Sequence, residues 1–111
     1  MTTTVQKQVL INARALIADP AHWTSHTLAR TANGHHVDWY DHSATKWCAV
    51  GAIYRAAYDL VGDKRKAKRI GDEVAKSVCP IRWFRGGLPS INDVGGHTAV
   101  LAVFDQTLAA A

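Results

Sequence analysis

Trp47-Cys48-Ala49-Val50-Gly51-Ala52-Ile53-Tyr54-Arg55-Ala56-Ala57-Tyr58-Asp59-Leu60-Val61-Gly62 is the stretch on which the fold turns. Ser43 or Thr45 just upstream can cap a helix here, and Gly62 can end it after Val61. The run is rich in alanine and apolar over most of its circumference, which predicts a central helix rather than one on the rim. A second helix start answers it at Asn92-Asp93-Val94-Gly95-Gly96-His97. One start carries a thiol and the other an Asp and a His, the raw material of a Cys/His/Asp site. Small residues at both also suit two closely packed helix starts, so chemistry and packing stand as alternatives.

Working outward, a first helix is predicted over about residues 4–18, with Val5, Val9, Ala13, Leu16 and Ile17 on one arc and Lys7 and Arg14 opposite. Asp19-Pro20 stops it, because proline disfavours helical geometry in the residue before it. Ala21-His22-Trp23 then reads as a turn whose indole covers the core. Asn33-Gly34, between residues 27–32 and 35–40, predicts a small hairpin, since both central residues of a type I′ turn need positive φ. So short a hairpin must lie against the helices to be stable.

A third helix is expected over about residues 63–78, with Ala67, Ile70, Val74 and Val78 inward, ended by Cys79-Pro80. Residues 81–84 read as a short strand and residues 85–90 as a loop. A last helix, about residues 97–110, should bury Val100, Leu101, Phe104 and Leu108. The expected fold is mainly α (α+β): about four helices around a single core with a small β-hairpin after the first helix, in one domain over residues 1–111.

A chain of 111 residues has room for one modest core, burying roughly two-thirds of the surface its unfolded form exposes. Hydrophobic residues at 48% and charged residues at 20% mark an ordinary globular chain and exclude a disordered one. No apolar stretch has signal-peptide or membrane-spanning length, so a cytoplasmic bacterial or phage protein with no membrane partner is expected. Cys48 and Cys79 are the two cysteines, without Cys-x-x-Cys spacing, and read as free thiols.

Three short motifs carry a resemblance that spans most of the chain. They are Ala15-Leu16-Ile17-Ala18-Asp19-Pro20 with Trp23, then Trp47-Cys48-Ala49-Val50-Gly51-Ala52, then Asn92-Asp93 ahead of a closing helix with Val100, Leu101 and Phe104-Asp105. The sequence resembles a family of small uncharacterised bacterial and phage proteins. Ile91 stands where that resemblance leads one to expect tryptophan. The resemblance implies no activity.

A cysteine nucleophile must be largely thiolate, which a helix N-terminus or a cationic neighbour promotes. With Thr45 as cap, Cys48 is the third helical residue, within reach of free backbone N–H groups. With Ser43 as cap, it lies past the first turn, where the dipole effect has faded. On a helical wheel Cys48 shares a narrow, partly polar stripe with Thr45, Ala52, Arg55 and Asp59. His97 falls in the centre of the last helix's apolar face, either pointing into a pocket or held by a backbone carbonyl. Asp93 is either the group that orients His97 or a turn residue whose carboxylate binds backbone N–H groups.

Five of the six histidines lie between His22 and His42. Without a cysteine pair or a His-Glu-x-x-His frame they predict no metal site. The basicity is local: residues 64–85 hold eight of the 13 Lys/Arg against Asp72 and Glu73, so this segment carries +6 and the remainder −2. Lys64, Arg65, Lys66, Lys68 and Arg69 sit opposite Ile70 and Val74, and Arg82-Trp83-Phe84-Arg85 adds two cations around aromatic rings. That set can follow a phosphate backbone and stack a base, or be a solvated helix face.

The expected function is a small non-catalytic binding or regulatory protein that contacts nucleic acid or an acidic protein through residues 64–85. The alternatives are a cysteine-dependent hydrolase or transferase, with Cys48 as nucleophile, His97 as base and Asp93 as orienter, and a structural homo-oligomer. No cofactor is implied by any motif.

Overall fold

The computed structural model describes residues 3–79 and 87–110. α1 (Thr4–Ile17) opens with a capping box: the Thr3 hydroxyl accepts the Gln6 N–H while the Gln6 side chain returns to the Thr3 N–H. Its buried residues are Val9, Leu10, Ala13 and Ile17. At 100° per residue that face is centred between residues 13 and 17, so Leu16 falls on its edge and Val5 is exposed. Leu10, on the other edge, takes the place in the core that the sequence assigns to Val5. The Asp19 carboxylate then caps a 3₁₀ turn (Pro20–His22) through the Ala21 N–H.

A two-stranded antiparallel pairing follows α1. β1 (Ala29–Arg30) pairs with β2 (Lys46–Trp47), Ala29 opposite Trp47 and Arg30 opposite Lys46. The chain turns one residue earlier than a type I′ Asn33-Gly34 turn requires: the Gly34 N–H closes on the Thr31 carbonyl at 2.9 Å, and Gly34, at φ +86°, has positive φ while Asn33 does not. Arg30 is bridged to His36 and the Val37 N–H reaches the Ala29 carbonyl at 3.2 Å, where this pairing ends. Beyond Val37, Trp39 is buried against Tyr40, Tyr54 and Tyr58, which draws that segment onto the helices, while β2 pairs along the other edge of β1.

This pairing also decides where the central helix begins. Lys46 and Trp47 are extended, so neither Ser43 nor Thr45 can cap, and the stripe that would join Thr45 to Cys48 does not exist. α2 (Ala49–Val61) is capped by Cys48 itself, whose sulfur accepts the Gly51 N–H at 3.3 Å. Gly62, at φ 74°, ends α2 in the left-handed conformation that glycine adopts without strain. α3 (Lys64–Val78) follows at once, with the Asp63 carboxylate on the Lys66 N–H. A short α4 (Gly87–Ser90), a π turn (Ile91–Gly95) and α5 (Gly96–Ala110) complete the described chain. The loop expected over residues 85–90 is therefore helical from Gly87 on, and the strand expected over residues 81–84 lies outside the described residues.

The result is mainly helical, with four long helices among the described residues. α2 packs against both α1 and α3, with Ala49, Ala52, Ala56 and Ala57 buried as a flat face that lets its neighbours approach. Leu10, Ile17, Ile53 and Phe104 fill the space around it, each burial stabilising by about 1.5–3 kcal/mol. Ala67, Val74 and Val78 of α3 and Val100 and Phe104 of α5 are buried, while Ile70, Leu101 and Leu108 are half-buried. No helix among the described residues is long and apolar enough to cross a membrane.

Gly51 marks the closest approach in the core. A methyl group there would collide with the backbone carbonyl of Leu28, the same carbonyl that accepts the Cys48 N–H at 3.2 Å. Gly51→Ala should therefore lower the urea midpoint, with a loss of about 1–3 kcal/mol. That net loss is what remains after the steric cost has offset the roughly 1 kcal/mol by which alanine favours an ordinary helix over glycine. An unchanged midpoint would show that the 28–29 segment can move away freely.

Candidate functional site

The three motifs that carry the resemblance meet at one side chain. The wide π turn swings Asn92 inward until it is 0% exposed, while Asp93 and Val94 face solvent. The Asn92 Oδ1 accepts the Trp23 indole N–H at 2.8 Å and the Ala49 backbone N–H at 2.9 Å. Its Nδ2 donates to the Thr24 carbonyl at 3.1 Å and to Asp93 Oδ1 at 3.0 Å. Four hydrogen bonds saturate the amide, and the two N–H donors fix which way it points. Ala49 opens α2, so Asn92 satisfies a donor that the helix cannot satisfy itself.

Cys48 and Asp93 lie beside this junction, on a cavity of about 220 Å³ that Asn92, His26, Leu28 and Pro89 also line. The thiol is 6% exposed, and burial pushes its pKa up against the opposing pull of the Gly51 N–H. At neutral pH the helix start thus carries a thiol rather than a thiolate. The Asp93 carboxyl is held below the usual carboxylate range, chiefly by the His26 backbone N–H at 2.9 Å and also by the Asn92 amide. His26 adopts φ 64°, a left-handed conformation uncommon for a side-chain-bearing residue, and its Nδ1 lies 3.6 Å from Asp93 Oδ2.

His97 is placed elsewhere. Its Nε2 donates to the Ile17 carbonyl at 2.6 Å, and its ring lies tilted on Trp23 with centroids 5.8 Å apart. It thereby closes the last turn of α1, where carbonyls lack intrahelical partners. The histidine beside Asp93 is therefore His26, one of the five that cluster between His22 and His42. Among the described residues no three of His, Cys, Asp and Glu gather closely enough to hold a metal ion.

The basic segment forms a second region, on the first half of α3. Lys64, Arg65, Lys68 and Arg69 line a groove of about 510 Å³ with Trp39, Tyr40 and Asp72. Lys64 Nζ stands 4.1 Å over the Tyr40 ring, and Lys68 Nζ lies 5.7 Å from the Tyr54 ring. At the Asp72 end, Lys68 pairs with the carboxylate at 3.3 Å and the Tyr54 hydroxyl donates to it. The Tyr54 phenol is pushed well up by burial and by that neighbouring charge. Lys66 is exposed away from the groove lining, and Lys76 pairs with Glu73 farther along α3. Arg82, Trp83 and Arg85 lie outside the described residues.

Trp39 and Tyr40, expected in the second strand of the hairpin, are the aromatic wall of this groove. Their density of aromatic character was a visible signal; which surface they cover depends on packing against α2 and α3.

Two measurements probe the junction. Asn92→Ala leaves the Trp23 indole, the Ala49 N–H and the Thr24 carbonyl without their partner and should cost about 3 kcal/mol or more in urea unfolding. Iodoacetamide at pH 7 should modify Cys48 far more slowly in the folded protein than in urea, and His97→Ala should not change the folded rate. Fast labelling that His97→Ala slows would instead join the two residues in one reactive site.

No curated protein and no solved structure matches the chain. Residues 1–110 match the family described as "Family of unknown function (DUF6197)", and the chain belongs to that family.

Proposed function

We propose that this protein is a small non-catalytic binding protein whose α3 groove takes nucleic acid. The observation that carries the reading is the convergence of Lys64, Arg65, Lys68 and Arg69 on the Trp39–Tyr40 wall. Four cations on one face exceed what α3 uses for its own ion pairs, which among the described residues are Lys68–Asp72 and Lys76–Glu73. Lys64 and Arg65 also sit in the first turn, where the helix dipole disfavours cations, so helix stability does not account for them. Phosphates neutralised by such a face release their counterions, which supplies sequence-independent affinity.

A cysteine-dependent hydrolase or transferase has less support. Cys48 is buried and its pKa raised, while the Nε2 of His97 is engaged by the Ile17 carbonyl. The observation in its favour is that Cys48 and Asp93 share a cavity with His26.

Fluorescence anisotropy with a labelled oligonucleotide at about 50 mM salt tests the binding reading. Four phosphate contacts predict a log–log salt slope of about −3. Replacing Lys64, Arg65, Lys68 and Arg69 together by Gln should abolish binding while circular dichroism stays that of the parent. Absence of binding by the parent protein at low salt overturns the reading, as does capture of acidic peptides in preference to oligonucleotides.

A further inference from the structure

We infer that the α3 groove is built for a single strand, with the Tyr40 ring as the platform on which one base stacks; this rests on the nucleic-acid reading above. The Tyr40 ring is held by its neighbours. Trp39 meets it nearly edge-on, with centroids 5.0 Å apart and planes at 85°, and Tyr58 meets it at 6.4 Å and 70°. Trp39 is in turn braced by Tyr54 at 5.3 Å and Tyr58 at 6.0 Å. Four aromatic side chains from the 39–40 segment and α2 therefore form one stiff wall, and a ligand that stacks on it orders little that is not ordered already.

What covers the ring face is an exposed lysine. The Lys64 ammonium, 4.1 Å from the ring centroid, occupies the position that a planar base would take. A cation–π pair at an exposed site is weaker than a base–aromatic stack, so the exchange of one for the other is favourable. The displaced ammonium stays within the groove, where a phosphate of the same strand can take it. Arg65 and Arg69, both exposed and one turn apart on α3, continue the cationic track away from the ring. Asp72 is the one carboxylate among the residues lining the groove, and Lys68 and the Tyr54 hydroxyl both engage it.

A duplex cannot use this arrangement. Its base faces are stacked inside and its outer surface is sugar and phosphate, so a ring recessed among lysines and arginines adds nothing to duplex binding. The groove volume of about 510 Å³ is in the range that encloses a small organic ligand, enough for one nucleotide with its neighbours lying along the cations.

The test compares a single strand of about 10 nucleotides with a duplex of the same sequence at equal salt. The single strand should bind roughly tenfold more tightly, and Tyr40→Leu should remove about that factor while leaving the salt slope unchanged. Tyr40→Phe, which keeps the ring, should bind like the parent. Photocrosslinking of a bromouracil-containing strand to the unaltered protein should label Tyr40, a readout that holds even if Tyr40→Leu fails to fold. Equal affinity for duplex and single strand, or a crosslink that maps away from Tyr40, overturns the inference and leaves the groove a general polyanion surface. Loss of all oligonucleotide binding overturns the underlying reading as well.

Discussion

The side-chain amide of Asn92 takes the Trp23 indole and the opening N–H of α2 on its oxygen, and gives its two protons to Thr24 and Asp93. Those partners belong to the connection after α1, the start of α2 and the π turn before α5. An unpaired amide in so dry a place would cost more than its hydrogen bonds contribute when made, so the segments are committed together. An apolar residue would leave the indole and the α2 N–H unpaired, and aspartate would offer no donor to the Thr24 carbonyl. The requirement is for this amide in this orientation.

Around that junction the core is organised by small residues. Gly51 lets the Leu28 carbonyl lie against α2, and Gly71 lets α3 lie against the Tyr54 ring. Cys48 belongs to the same economy of space: it ends the extended segment of β2, caps α2 through its sulfur and remains buried. His97 acts at the opposite end of a helix, on the Ile17 carbonyl of α1, with the Trp23 ring against it. Trp23 therefore touches both Asn92 and His97, linking the α2 start to the α5 start.

Charge is distributed apart from this junction. The junction carries Asp93, held ionised by backbone and amide donors, whereas the cations gather on the first half of α3 beside the aromatic wall. Proteins that handle single strands combine a cationic track with stacking rings, and the groove supplies both on stiff supports. The π turn and the left-handed His26 both lie at the Asn92–Asp93 junction. There they are over-determined by the surrounding hydrogen bonds.

The sequence by itself determined the four long helices, the stop at Gly62 and the clustering of cations on one face of α3. Each of these depends on residues within a turn or two of one another, where periodicity and capping chemistry operate. It also marked Cys48, Asp93 and His97 as worth locating, and Asn92-Asp93 as part of a motif. The tertiary structure decided the partner of β1, the start of α2 at Ala49, the pairing of Asp93 with His26 and the turning of His97 to Ile17. It also decided that Trp39 and Tyr40 wall the basic groove. The contact between Asn92 and Trp23 spans 69 residues and that between His97 and Ile17 spans 80, distances over which no local pattern carries information. What selects them is the need to pair every buried donor and fill every buried space at once, a condition met only when the whole chain is packed.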